Sequence, residues 1–215
     1  MDITFAELPI FHYGVIMIDP PWEFENWSEK GEGRNPKRHY ETMSIEAIKA
    51  LPVGHLAAKD CALFLWATSP IMNELPGVFD AWGFRFSGKA FCWAKCTKQS
   101  LDRPCPDLPI NDDYNWKMTT GYGTRSNTED CWLGMTGNPP RLDASVRELI
   151  VAPTREHSRK PDEAYDRARR LYPGPCADIF SRENRDGWDT WGHQTGHFND
   201  VGRDWPRADE LENVA

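Results

Sequence analysis

"VIMIDPPWEF" (residues 15–24) joins an apolar run to an acid, two prolines and an indole. The run begins in "YGVIMI" (13–18), which shows no polar alternation. Such a stretch reads as a central strand covered on both faces, as in a parallel sheet. It stops at Asp19-Pro20-Pro21-Trp22. Proline fixes its own φ, biases the residue before it away from helix and has no amide hydrogen to donate. Asp19 is therefore expected on a rigid frame at a strand's carboxyl end, beside proline carbonyls that can accept hydrogen bonds. A strand end with a turn and a core tryptophan explains the same four residues. The chemical alternative is a site for an exocyclic aryl amine. A carboxylate and the Pro20 carbonyl could accept its two N–H donors while Trp22 stacks on, or walls, the ring.

Outward from this point, 25–39 is a polar loop without apolar periodicity. Residues 44–51 read as a helix capped by Ser44, 62–66 as a second buried strand, and 71–82 as partly helical with an interruption at Pro76-Gly77. A third strand is expected at 86–94, followed by a long irregular loop from 95 to 120. Further strands are expected at 129–134, 148–151 and 176–180. A helix at 161–171 has proline in its first turn and basic residues near its end. Residues 181–197 read as a loop. The alternation gives an α/β fold with a mostly parallel sheet and one domain over 1–199, followed by an acidic, frayed tail at 200–215. Ligands in such sheets sit beyond the carboxyl ends of the strands. Asp19 and the polar cluster from Asp178 to Gln194 both fall there.

A chain of 215 residues, 40% hydrophobic, suffices for one such domain. A net charge of −8 argues against a sequence-blind nucleic-acid coat, but leaves room for an enzyme with a local basic groove. None of the six cysteines forms a C-x-x-C pair. Cys92, Cys96 and Cys105 lack a second close ligand pair, and His193 and His197 lie in a Gly-rich stretch, so no metal is expected. No leader pattern and no apolar run of about 20 residues is present, which suggests a reduced, cytoplasmic protein without a membrane segment. Hydrolase and nucleotide-triphosphatase motifs are absent from the sequence.

The D-P-P-W string after an apolar strand resembles the catalytic motif of the N6-adenine methyltransferases, the family of the eukaryotic mRNA adenosine methyltransferases and their small bacterial and phage relatives. Further stretches resemble that family in order: "HYETMSIEAIKAL" (39–51), "ALFLWAT" (62–68), "RSNTEDCWLGMTGNP" (125–139) and "SRKPDEAYDRARRLYPGPCADIFSRENRDGWDTWGHQ" (158–194). The resemblance implies a Rossmann-like S-adenosylmethionine-dependent methyltransferase fold. Its mostly parallel sheet has helices on both faces, and the motif order is permuted, catalytic before cofactor. It implies S-adenosylmethionine as cofactor, with Asp19 and Lys160 near it and Lys160 beside its methionine carboxylate. Asp178, Phe180, Arg182 and Asn184 match the stretch around the ribose, although plain core explains Phe180 as well. His193 and Gln194 match a terminal pair whose first member is usually Asn. Asp2 and Ile3 align with a pair beside the cofactor adenine. Trp22, Tyr40, Arg125, Asn127 and Glu129 become candidates for the substrate base. Lys30, Arg34, Lys37 and Arg38 in the first loop become candidates for a phosphate path, against the alternative of a solvated charged surface.

The implied partner is nucleic acid, DNA favoured over RNA, its target adenine single-stranded or flipped. Specificity would come from the two long loops, from a partner subunit or from a homodimer. Two other readings stay open: a catalytically silent nucleic-acid-binding scaffold, and a methyltransferase acting on another planar nitrogen.

Overall fold

β1 (Tyr13–Ile18) is buried along its whole length, as its unbroken apolar run requires. The structure, a computed structural model, describes residues 4–23, 42–97, 116–117, 123–156, 159–192 and 195–199. After β1 come α1 (Ile45–Lys49), β2 (Ala57–Ala67), α2 (Leu75–Ala81), β3 (Arg85–Cys96), β4 (Thr128–Thr136), β5 (Leu149–Pro153), α3 (Asp162–Leu171), β6 (Cys176–Ile179) and β7 (Asp189–Trp191). The strands form one seven-stranded sheet in the order β5-β3-β4-β2-β1-β6-β7. β1 runs parallel to β2 and β6, β6 to β7, and β3 to β5; β4 is antiparallel to both its neighbours. The sheet is thus mostly parallel, as expected.

Side chains alternate across the sheet. Ile16, Ile18, Leu63 and Leu65 pack on one face with Ile48 of α1 and Val78 and Phe79 of α2. Val15, Met17, Phe64 and Trp66 pack on the other with Ala164, Ala168 and Leu171 of α3. Helices therefore cover both faces. The chain leaves β1 toward β2 on one side, while it leaves β6 toward β7 on the other. Outgoing connections diverge between β1 and β6, and this is where an open α/β sheet leaves a crevice beyond its carboxyl edge.

Several expectations change. Pro76 and Gly77 do not interrupt a helix: a 3-10 turn (Ser69–Glu74) leads into α2, and Pro76 lies in its first turn, where its missing N–H costs nothing. β3 runs on to Cys96, so the long irregular segment begins later than residue 95. β7 lies inside the stretch read as a loop. Three residues with an exposed Asp189 are too few to show a period of two. Ser44 does cap α1, accepting from Ala47 N at 3.2 Å, and Pro161 takes the N-cap position of α3. No described helix is long and apolar enough to cross a membrane. The loop at 25–39 and the tail at 200–215 lie outside the described residues.

Candidate active site

Asp19 follows β1 directly, and its amide donates to the Ile179 carbonyl of β6 at 3.4 Å. This fixes the residue at the β1–β6 divergence. Its side chain is 25% exposed and one oxygen, Oδ2, accepts from Lys160 Nζ at 2.7 Å. Lys160 precedes Pro161, which holds it extended. Arg155 secures the same turn, donating to the Lys160 carbonyl at 2.6 Å and to the Asp162 carboxylate at 2.9 and 3.2 Å.

Lys160 Nζ also lies 2.8 Å from Glu129 Oε1, and Glu129 Oε2 lies 2.8 Å from Lys95 Nζ. Glu129 reaches this point because antiparallel β4 begins at the edge where the parallel strands end. The result is a continuous chain of alternating charge, Asp19–Lys160–Glu129–Lys95, formally neutral. Lys95 also lies over the Trp93 ring at 4.9 Å, and Lys160 over the Trp66 ring at 5.5 Å. Burial raises the Asp19 carboxyl above its ordinary value; Lys160 opposes that rise and Glu129 adds to it. Burial also acts to raise Glu129, but its two lysines win and bring it down to about 2. The Lys160 ammonium is stabilised: burial disfavours it, yet Asp19 and Glu129 together raise its pKa.

The resemblance set Lys160 beside the carboxylate of the cofactor. In the structure Lys160 already has two protein anions. A lysine has three N–H donors, so one remains for a further acceptor.

The rest of the D-P-P-W motif departs from expectation. The Trp22 ring is 4% exposed and packs in the core. Its Nε1 donates to the Trp66 carbonyl at 3.0 Å. An indole pinned this way supports the site from beneath and does not offer its face to a base. Nor are the proline carbonyls idle: Pro20 O accepts from Trp22 N, and Pro21 O from Met43 N, both at 2.8 Å. A carbonyl has two lone pairs, so Pro20 O retains one for a second donor.

Around β6 the outcome is mixed. Asp178 is only 2% exposed. Its Oδ2 accepts from Ser181 Oγ at 2.7 Å and from Arg185 at 3.0 Å, so it braces the loop from inside and does not face a ribose. Burial pushes its carboxyl up to about 6 against the pull of Arg185 and Ser181. Arg185 also binds Glu183 at 2.8 Å and lies 3.8 Å over the Tyr165 ring. Phe180 turns the chain out of β6 at a φ of 62° and packs edge-on against Trp191 at 5.5 Å. Positive φ is strained for a bulky residue. Arg182 lies 4.7 Å over the Phe198 ring. Asn184 is exposed; its backbone N–H donates to Asn199 Oδ1 and its own Oδ1 accepts from Thr190, both at 2.9 Å.

Arg125 is exposed near the start of β4, and the Asn127 carbonyl accepts from Lys95 N at 2.8 Å. Tyr40, His193, Gln194, Asp2, Ile3, Lys30, Arg34, Lys37 and Arg38 lie outside the described residues. Among the described residues no group of three or more metal-ligating side chains is assembled. The sequence reading missed Lys95 and Arg185. It also missed two polar groups at the carboxyl end of β2: Trp66 Nε1 and Thr68 Oγ1 are buried without a hydrogen-bond partner among the described residues. A ligand in the crevice could satisfy such orphans. "ALFLWAT", read only as a strand, carried that signal in its last three residues.

Residues 13–194 match the MT-A70 family. The chain is 29% identical over 210 residues to the Type II methyltransferase M.MunI of a Mycoplasma species, covering 89% of this chain and 82% of that one. It is 29% identical over 199 residues to the N(6)-adenosine-methyltransferase MT-A70-like protein of Drosophila melanogaster, covering 90% of this chain and 29% of the fly protein. Against the human N(6)-adenosine-methyltransferase catalytic subunit METTL3 it is 27% identical over 199 residues, covering 90% of this chain and 30% of METTL3. The match spans β1 with Asp19, β4 with Glu129, and the Lys160–α3–β6 unit in one run, and the chain belongs to the MT-A70 family.

Proposed function

We propose that this adenine N6-methyltransferase acts on DNA in preference to RNA, with S-adenosylmethionine as methyl donor and Asp19 as the residue that receives the target amine. The observation that carries the reading is the Asp19–Lys160–Glu129–Lys95 chain at the β1–β6 divergence. The preference for DNA leans on which relative the match covers most fully. The chain covers most of a bacterial Type II methyltransferase, but under a third of the adenosine methyltransferases from fly and human.

The crevice suits such a donor. Lys160 retains one N–H for a carboxylate, and Trp66 Nε1 and Thr68 Oγ1 are buried polar atoms without a hydrogen-bond partner among the described residues. Lys160 would hold the methionine end, and Arg182 and Asn184 the ribose. The bound donor supplies an electrophilic methyl on a sulfonium. Asp19 Oδ1, the oxygen that Lys160 does not hold, accepts one N–H of the target amine, and the open lone pair of Pro20 O accepts the other. Both bonds draw the nitrogen lone pair away from ring conjugation. Lys160 and Glu129 keep the acceptor fixed before the base arrives, so little reorganisation is needed on reaction. After transfer, Asp19 can take the proton that the alkylated amine sheds. With β1 carrying the acceptor site and β6 the donor loop, the motif order reads as permuted, and 1–199 as one methyltransferase unit.

The test is competition for labelled donor among single- and double-stranded DNA and RNA of matched adenine content, followed by nucleoside analysis. Label in N6-methyldeoxyadenosine supports the proposal; label confined to N6-methyladenosine overturns the DNA preference.

A further inference from the structure

The family match ends at residue 194, yet the chain folds back immediately afterwards. Phe198, in an otherwise polar turn, is 4% exposed. Two guanidinium groups lie over its ring: Arg182 Cζ at 4.7 Å and Arg159 Cζ at 5.4 Å from the centroid. The backbone adds two ties. Phe198 N donates to the Arg182 carbonyl at 3.1 Å, and Asn199 Oδ1 accepts from Asn184 N at 2.9 Å. The turn that brings them there uses Gly196 at a φ of 83°, with Asn199 N donating to the Gly196 carbonyl at 3.1 Å.

Arg159 connects this turn to the charge chain. It donates twice to Glu183, at 2.9 and 2.7 Å, and it immediately precedes Lys160. A single aromatic ring therefore contacts both the segment that carries Lys160 and the loop that carries Arg182. Glu183 lies between Arg182 and Asn184, so residues 182–184 are each held, by Phe198, Arg159 and Asn199 in turn. Two cations over a desolvated ring are attracted to its face, which a saturated side chain of similar bulk cannot offer.

We propose that Phe198 is a positioning residue for the methyl donor: its ring face holds Arg182 and Arg159 so that both walls of the donor crevice stand ready before binding. The proposal rests on the reading of Lys160, Arg182 and Asn184 as donor-binding residues. Pre-organisation of this kind acts on affinity and leaves the chemical step alone.

The experiment measures calorimetric binding of S-adenosylhomocysteine to the full chain and to Phe198→Ala, Phe198→Leu and Phe198→Tyr, together with donor KM and kcat. Ala and Leu should bind about tenfold more weakly and Tyr within about twofold of the parent. The donor KM should rise with the loss of affinity, while kcat at saturating donor stays within about twofold. Should Phe198→Ala not fold, the Leu and Tyr pair decides. Parental affinity in Phe198→Leu would overturn the proposal, because apolar filling would then suffice. So would a fall in kcat with unchanged KM. If the parent itself binds no S-adenosylhomocysteine, the donor-site reading fails and this inference fails with it; parental binding with unaltered Phe198→Leu overturns this inference alone.

Discussion

Glu129→Gln separates the electrostatic account of Asp19 from a purely steric one. Two carboxylate oxygens, on Asp19 and Glu129, share Lys160 Nζ at 2.7 and 2.8 Å. They are on the order of 5 Å apart, which at an effective dielectric of about 20 gives roughly 3 kcal/mol of repulsion. Asp19 is 25% exposed, and water screens part of this. What survives the screening still raises the Asp19 carboxyl. The sign is set by Glu129 being one of the groups that raise Asp19. Neutralising it also leaves Lys160 undivided for Asp19, and this lowers the Asp19 pKa further. The acid limb of kcat/KM reports the free enzyme's essential carboxylate. It should therefore move to lower pH in Glu129→Gln, even if the plateau falls because the base is held less well. An unmoved limb, or one displaced upward, would refute the coupling.

Asp19→Ala should abolish methyl transfer while leaving part of the donor binding, as measured by label transfer and calorimetry in parallel. Lys160→Met leaves two carboxylates facing one another with Lys95 as their counter-ion among the described residues. It should lose about 3 kcal/mol in urea unfolding at neutral pH, and a loss below about 1 kcal/mol would count against a buried pair. Glu129 is held at about 2, below its unfolded value, so its contribution is complete above about pH 4.5 and is lost as the pH falls toward 2. The stability gap between the parent and Glu129→Gln in urea titrations should therefore narrow steadily below about pH 4.5. Gly134→Ala, on β4, drives a new Cβ into the Phe79 ring. It should cost about 2 kcal/mol in the same unfolding assay by overpacking.

β1 and the place of Asp19 were legible because an unbroken apolar run and two prolines each leave few alternatives. α3 was legible from its proline, its acidic first turn and its basic last turn. The direction of β4 was not, since nothing local in "TEDCWLGMT" encodes the strand it will lie against. Yet that direction is what brings Glu129 and Lys95 to Lys160. Trp22 could be read as a stacking surface or as core from its residue type; the Trp66 carbonyl that fixes its Nε1 comes from a strand 44 residues away. Asp178 looked like a ribose ligand because it matches the family's stretch around the ribose. Ser181 and Arg185 turn it inward, and their position depends on the backbone reversal at Phe180. Lys95 went unmarked because the strand that positions it was expected to end one residue earlier.

The most direct test supplies labelled S-adenosylmethionine and an adenine-containing DNA duplex to the full chain and to Asp19→Ala, then digests the DNA to nucleosides. N6-methyldeoxyadenosine from the parent and none from the variant is the expected result. Equal N6-methyldeoxyadenosine from both would contradict Asp19 as the residue that receives the target amine.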